Sequence, residues 1–328
     1  MNLRATTQVT REIAINRLDR YIQEGQQRAL AVQEKVVRDV PTDYIAPAGT
    51  IRFANTNRDS GLEMVLDRKD GRTVANPLHR HGLGQAAELA KMPMAYVDHL
   101  LGQGGWGQEL LARNLTDGVQ YGHQGSRYLV RSCGGQVRAV LSSKFRRLDS
   151  RPILDMLIGE SQRVGAIPVD AIASDIRTEV KFIIPKVLEP APGEFMVFGF
   201  AWGTSDYGAG ANWVRSFAFR LACFNGATME QALRQVHVGR ALTDDVEWSQ
   251  RTLELDTKTA ISGTRDVARA LLSEAKISQT ASLITKANAE GIDAKVTLAG
   301  MRKKIGAGTE KAIAEAFNSA DVVELPPR

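Results

Sequence analysis

The chain has 328 residues, of which 43% are hydrophobic and 24% charged, the balance of a folded globular protein with room for one large core or two ordinary ones. Its formal net charge of +5 is mildly basic and favours a polyanionic partner. There is no apolar run of about 18 residues and no apolar leader core at the start, so neither a membrane span nor a secretory signal is expected.

Cys133 and Cys223 are the only cysteines, too few for a disulfide framework, and a reducing cytoplasm is the expected compartment. Residues 5 to about 40 read as a polar helix. Ile13, Ile15, Leu18, Ile22, Leu30, Val32 and Val36 fall only loosely at helical spacing, which suits a loosely tied arm or a subunit contact. Pro41 closes it, and residues 41–78 alternate polar turns with short apolar pieces, the pattern of short strands. Residues 79–101 read as helix, break at Pro93, helix. His79 and His81 have no partner at metal-ligand spacing and are expected as surface or capping histidines. Gly102 to Gly125 is expected as a Gly-rich connection, with GQGGWGQ a loop and only Glu109 to Asn114 helical.

Arg127 to Arg151 is the most basic stretch. Tyr128, Val130, Val137, Ala139 and Leu141 alternate as in two strands, and Gly134-Gly135 supplies the turn residues that tolerate positive φ. Arg127, Arg131, Arg138, Lys144, Arg146, Arg147 and Arg151 face one acid, Asp149. This corner is expected to meet an anion, with Ser142 and Ser143 adding hydroxyl or backbone N–H contacts. Pro152 to Arg163 follows as an amphipathic helix buried through Ile153, Leu154, Leu157 and Ile158. Two strands are expected around Ser174-Asp175, with Arg177 and Lys181 on one face.

Residues 194–224 hold a concentration of aromatics: Phe195, Phe198, Phe200, Trp202, Tyr207, Trp213, Phe217, Phe219 and Phe224. They read as two strands around the Gly-rich loop Gly203 to Gly210. Most belong in the core, whereas Tyr207 and Trp213, in or beside the loop, are placed to stack on bases. Thr228 to Val236 is expected as a helix. The remainder reads as helices over Asp244–Thr259, Thr264–Ala275, Ser278–Ala289 and Thr309–Phe317, with a short segment around Lys295 to Lys304 and a loose tail. The expected class is α+β: an antiparallel hairpin and curved sheet packed by helices, then a helical C-terminal region. The expected division is 1–78, 79–240 and 241–328.

Three pieces carry a resemblance: Arg138-Ala139…Leu141-Ser142…Phe145-Arg146-Arg147-Leu148-Asp149, Thr204-Ser205…Gly208-Ala209-Gly210, and Arg220-Leu221-Ala222-Cys223-Phe224-Asn225-Gly226. Over about residues 80 to 240 the chain resembles a phage- and plasmid-encoded family catalogued only as a domain of unknown function, with Phe145 and Thr204 departing from its usual Tyr and Asn. The order of elements is also similar, at fold level, to the Rad52, Redβ and RecT type annealing proteins. The resemblance implies a cytoplasmic, homo-oligomeric protein of a mobile element that binds single-stranded DNA or RNA without sequence preference. It would do so through Arg127, Arg131, Arg138, Ser142, Lys144, Arg146, Arg147, Tyr207 and Trp213, with no cofactor or metal. Two other readings stay open. One is a phage structural or host-interaction protein, its C-terminal helices being the surface for a host or phage partner. The other is a metal-dependent nuclease built from the dispersed Asp149, Asp155, Asp170 and Asp175. No Walker A, HExxH or G-x-S-x-G pattern is present; GAGTEK at Gly306 to Lys311 has the wrong spacing.

Overall fold

The computed structural model describes residues 11–56, 61–67, 71–221, 225–235 and 249–289. The fold is α+β, with antiparallel sheets. Strand β1 (Thr42–Pro47) pairs with β5 (Arg127–Cys133), and β5 with β6 (Gln136–Ser142). A second three-stranded sheet runs β2 (Ile51–Asn55), β3 (Leu62–Asp67), β4 (Thr73–Pro77). Helices α2 (Arg80–Leu89), α3 (Met94–Gly102) and α4 (Gly105–Gly122) close one core with these strands, around Ile51, Met64, Leu111, Leu115 and Val130. The hairpin turn at Gly134 and Gly135 has φ of 59° and 75°, the conformation that glycine adopts without steric penalty.

The large sheet holds β7 (Ile167–Ala173), β8 (Thr178–Ile183), β10 (Glu194–Thr204), β11 (Asn212–Arg220) and β12 (Asn225–Gln235) in the order β12-β11-β10-β8-β7, and β9 (Leu188–Ala191) pairs with β10. One face carries Val180, Phe182, Phe200, Trp202 and Val214. It is covered by α5 (Ser150–Arg163) and α6 (Gln250–Leu271), while α7 (Glu274–Ala289) covers Met196 and Phe198 through Ile277, Ala281 and Ile284. A polar relay fixes α6: Trp202 Nε1 donates to Asn212 Oδ1 at 2.7 Å, and Asn212 Nδ2 donates to Thr264 Oγ1 at 2.9 Å. On the opposite face the first half of α1 (Arg11–Arg38) lays Ala14 and Leu18 over Ile183, Val197, Phe217 and Phe219. The helix then crosses the edge of β7, and Ala29, Val32 and Val36 join the core under α5.

Several expectations are corrected. The N-terminal helix is not a loose arm but straddles the sheet edge. It is buried through Ala14, Gly25 and Ala29 where the sequence reading gave weight to Ile13, Ile15 and Leu30, which are exposed. The Gly-rich connection is the helix α4, entered through Gly104 at φ 74°. Residues 225–235 form strand β12, because β11 pairs with them from Asn212↔Gln235 to Arg220↔Asn225. No break separates Thr259 from Thr264; α6 runs through both and ends at Leu271. The helix expected at Thr309–Phe317, the segment at 295–304 and the tail lie outside the described residues. No helix among the described residues is long and apolar enough to cross a membrane.

Candidate nucleic-acid interface

The basic corner folds into a knot that consumes most of its own charge. Arg131, central in β5, is fully buried. Its Nε donates to Asp43 on β1 at 2.7 Å, and its Nη1 donates to Asp149 at 2.7 Å and to the Asp206 carbonyl at 2.6 Å. Burial opposes its charge, but Asp149 and Asp43 overcome that and hold the guanidinium more firmly protonated than usual. Arg138, 9% exposed, donates to the Asp175 carbonyl at 3.0 Å and lies over the Tyr207 ring, 5.5 Å from its centroid. The Tyr207 phenol is buried beside Cys133, and burial pushes its pKa up. Asp206 closes the knot: its carboxylate accepts from both Ser150 N–H and Ser150 O–H at 2.8 Å, capping α5 in place of Asp149. Burial first, and Asp149 second, push Asp206 up to about 6.

Arg131, Arg138 and Tyr207 are therefore structural, and their assignment to a strand-binding surface is corrected. Both guanidinium groups are already engaged within the chain, and a buried charge stripped of its partners costs about 3–5 kcal/mol. The acids that neutralise the corner come mainly from the chain before it and from strand ends. Asp43 holds Arg131 and lies 2.9 Å from Arg147 Nε, Asp39 and Asp175 flank Arg138, and Arg146 pairs with both oxygens of Asp256 on α6. Arg127 and Ser142 are exposed at the open end of the hairpin, and Ser142 Oγ accepts from Lys144 N–H at 3.2 Å. Two of the three motifs converge, the 138–149 corner and the 204–210 loop, whereas Arg220 lies at the other end of β11 on Glu194 and residues 222–224 are outside the described residues. Ser205 Oγ donates to the Ile176 carbonyl at 2.6 Å and accepts from Tyr207 and Ala209 N–H, and Gly208 sits against Leu141 and Phe145 at φ 77°.

His79 caps α2, its Nδ1 accepting from His81 N–H at 3.0 Å, and His81 Nε2 lies 2.9 Å from the Tyr207 carbonyl. The dispersed acids stay apart. Asp170 pairs with Arg28 and Lys181, Asp175 with Lys35, and Asp155 lies 4.0 Å from Arg151. Among the described residues no group of three His, Cys, Asp or Glu side chains is placed to hold a metal ion.

Of the predicted contacts, Trp213 stands apart from the knot, on the face of the large sheet that α1 leaves open. Two cross-strand rows define that area. One is Asp170–Lys181–Ala201–Arg215 and the other Ile172–Glu179–Gly203–Trp213, read across β7, β8, β10 and β11. Ala201 and Gly203 keep the middle of the floor low. The Trp213 indole lies across Gly203, so close that a Cβ there would meet ring atoms at 2.5 Å. The Arg215 guanidinium rests over the same ring, 4.3 Å from its centroid. Two adjoining clefts of about 190 Å³ each share Glu179, Trp213 and Arg215, and Arg177 and Lys181 border them. The sequence reading found Trp213 and the shared face of Arg177 and Lys181. It missed Arg215, although Trp-Val-Arg in a strand puts the first and third side chains on one face. A separate cleft lies between the corner and α6.

Comparison with protein-family models, with curated proteins and with solved structures returns no match to this chain.

Proposed function

We propose that the protein binds single-stranded nucleic acid, DNA or RNA, without sequence preference, along the open trough of the large sheet. The Trp213–Arg215 stack over Gly203 carries this reading. It supplies an aromatic plane and a guanidinium plane beside a low floor, with Arg177 and Lys181 within the same area. Single-strand binders combine these two elements: stacking tolerates every base, and cations follow the backbone. The trough thus takes the place of the corner as the principal surface, with Arg127, Ser142 and Lys144 on the corner's outer side. Annealing by a homo-oligomer of a mobile element is the stronger form of the same proposal, since pairing needs neutralised phosphates and accessible bases.

The test compares labelled single strands with the matching duplex by fluorescence anisotropy. Trp213→Ala with Arg215→Ala is expected to weaken single-strand binding about tenfold or more, in line with ~1–3 kcal/mol per stacked base. Arg146→Ala with Arg147→Ala is expected to cost less. A loss confined to the corner pair returns the interface to the corner and overturns the trough. A wild-type protein that ignores both strands overturns nucleic-acid binding. The second reading, a protein-interaction surface, then takes precedence, because Ile172 at one end of the Trp213 row is 67% exposed.

A further inference from the structure

The cleft between the corner and α6 lies apart from the trough and is chemically different. Its volume is about 320 Å³, and Lys144, Phe145, Arg146, Arg147, Leu253 and Ile261 line it together with Glu254, Asp256, Thr257 and Lys258. That size reaches the lower end of the range for small-molecule sites, about 300–1,000 Å³. The lining holds four cations and two acids. Arg146 is engaged bidentately by Asp256 and forms part of the wall. Arg147 is different. Its Nε lies 2.9 Å from Asp43 Oδ2 but is buried and off the line of a hydrogen bond. Among the described residues its two terminal nitrogens meet no acceptor, and neither does Lys258 Nζ. A half-buried guanidinium fork beside an ammonium, with Leu253 and Ile261 for walls, suits a ligand with a dianionic group and an apolar body. The fork matches phosphate oxygens in pairs.

We infer that this cleft binds a phosphate monoester with an apolar or aromatic body, the class to which nucleoside monophosphates belong. The phosphate meets Arg147 and Lys258, and the body lies against Leu253 and Ile261. This site is independent of the trough, and Trp213→Ala with Arg215→Ala leaves it unchanged. The phosphate monoester comes either from a free mononucleotide or from the phosphorylated end of a strand.

Isothermal titration with adenosine 5′-monophosphate, adenosine and inorganic phosphate tests the site. The monophosphate is expected to bind about tenfold or more tightly than either fragment. Lys258→Glu changes only an exposed side chain, and Leu253→Trp fills the cleft without altering its charge. Each is expected to weaken the monophosphate about tenfold while the circular dichroism of the fold is retained. Competition by an oligonucleotide carrying a 5′-phosphate, and not by its unphosphorylated form, identifies the source as a strand end; no competition by either identifies a free mononucleotide. Inorganic phosphate binding as tightly as the monophosphate, or both variants binding like the wild type, overturns the site.

Discussion

At the scale of single residues, Asp206 links the motif loop to α5, and burial displaces the titration of its carboxylate upward. In the unfolded chain it loses its proton near 3.8, whereas in the folded protein it keeps it up to about 6. Between those values the folded state binds more protons, so Asp206 subtracts stability as the pH rises through that window. Asp206→Asn keeps an acceptor for Ser150 N–H and has nothing to titrate. Urea unfolding from about pH 4 to about pH 7 is expected to show the variant gaining on the wild type as pH rises, by on the order of 3 kcal/mol at most. A constant difference between the two proteins contradicts this account. Asp170 works in the opposite sense: burial resists its charge, but Lys181 and Arg28 prevail and hold it below its ordinary value, so its contribution is lost as pH falls. The corner's basic residues were legible in the sequence but their pairing was not. Apart from Asp149, the groups that enclose Arg131 and Arg138 stand far away in the chain: the carboxylates of Asp39 and Asp43 on one side, and the Asp175 side chain and the Asp206 carbonyl on the other. A count of local charge has no access to such partners.

At the scale of elements, α1 shows how a helix can hide its buried stripe. Its contact side is built from Ala14, Gly25 and Ala29 as much as from Leu18 and Val32. Hydrophobic periodicity gives little weight to small residues, so the helix read as solvated. Gly25 marks the point of closest approach, where a Cβ would stand 1.6 Å from the Val169 carbonyl oxygen. Gly25→Ala improves helix propensity by about 1 kcal/mol, yet it must lift the helix from the strand. The expected net loss is about 1–3 kcal/mol in urea or thermal unfolding; a stabilised variant contradicts the packing described. The hairpin β5–β6, strands β7 and β8, and helix α5 were legible, since alternation and turn glycines are local signals. β12 was not, because Asn225-Gly226 followed by Thr228 resembles a strand end and a helix cap. Pairing along the whole of β11 outweighs that local signal.

At the scale of the whole molecule, the candidate site depends on incomplete cover. Among the described residues, the large sheet has one face covered by α5, α6 and α7 and the other covered where the first half of α1 lies. No property of residues 201–215 by themselves announces this; it follows from the length and crossing point of a helix far upstream. The trough holds few cations, Arg177, Lys181 and Arg215, beside Asp170 and Glu179. Single-strand affinity is therefore expected to fall with salt along a shallow slope, about two to three phosphates' worth at ~0.7 per phosphate. It is also expected to be unchanged by EDTA. Titrations at several salt concentrations measure the slope, and a slope near that of a many-phosphate groove points to a larger basic surface than the trough.

The way α1 passes over β7 has a further consequence for symmetry. The main path of the large sheet ends in β7 and β12, and the short β9 beside β10 is met by α7, whose Thr285 Oγ1 donates to the Pro190 carbonyl at 2.6 Å. The crossing at Gly25, with Arg28 on Asp170 and Lys35 on Asp175, closes the β7 border to any incoming strand. Among the described residues, β12 is left as the long border where another chain can extend the sheet. A sheet that grows at one border alone cannot propagate: two copies joining there satisfy each other about a two-fold axis and stop. Any longer array of this protein must be held together by helices or side-chain surfaces, not by a continuous ribbon of strands.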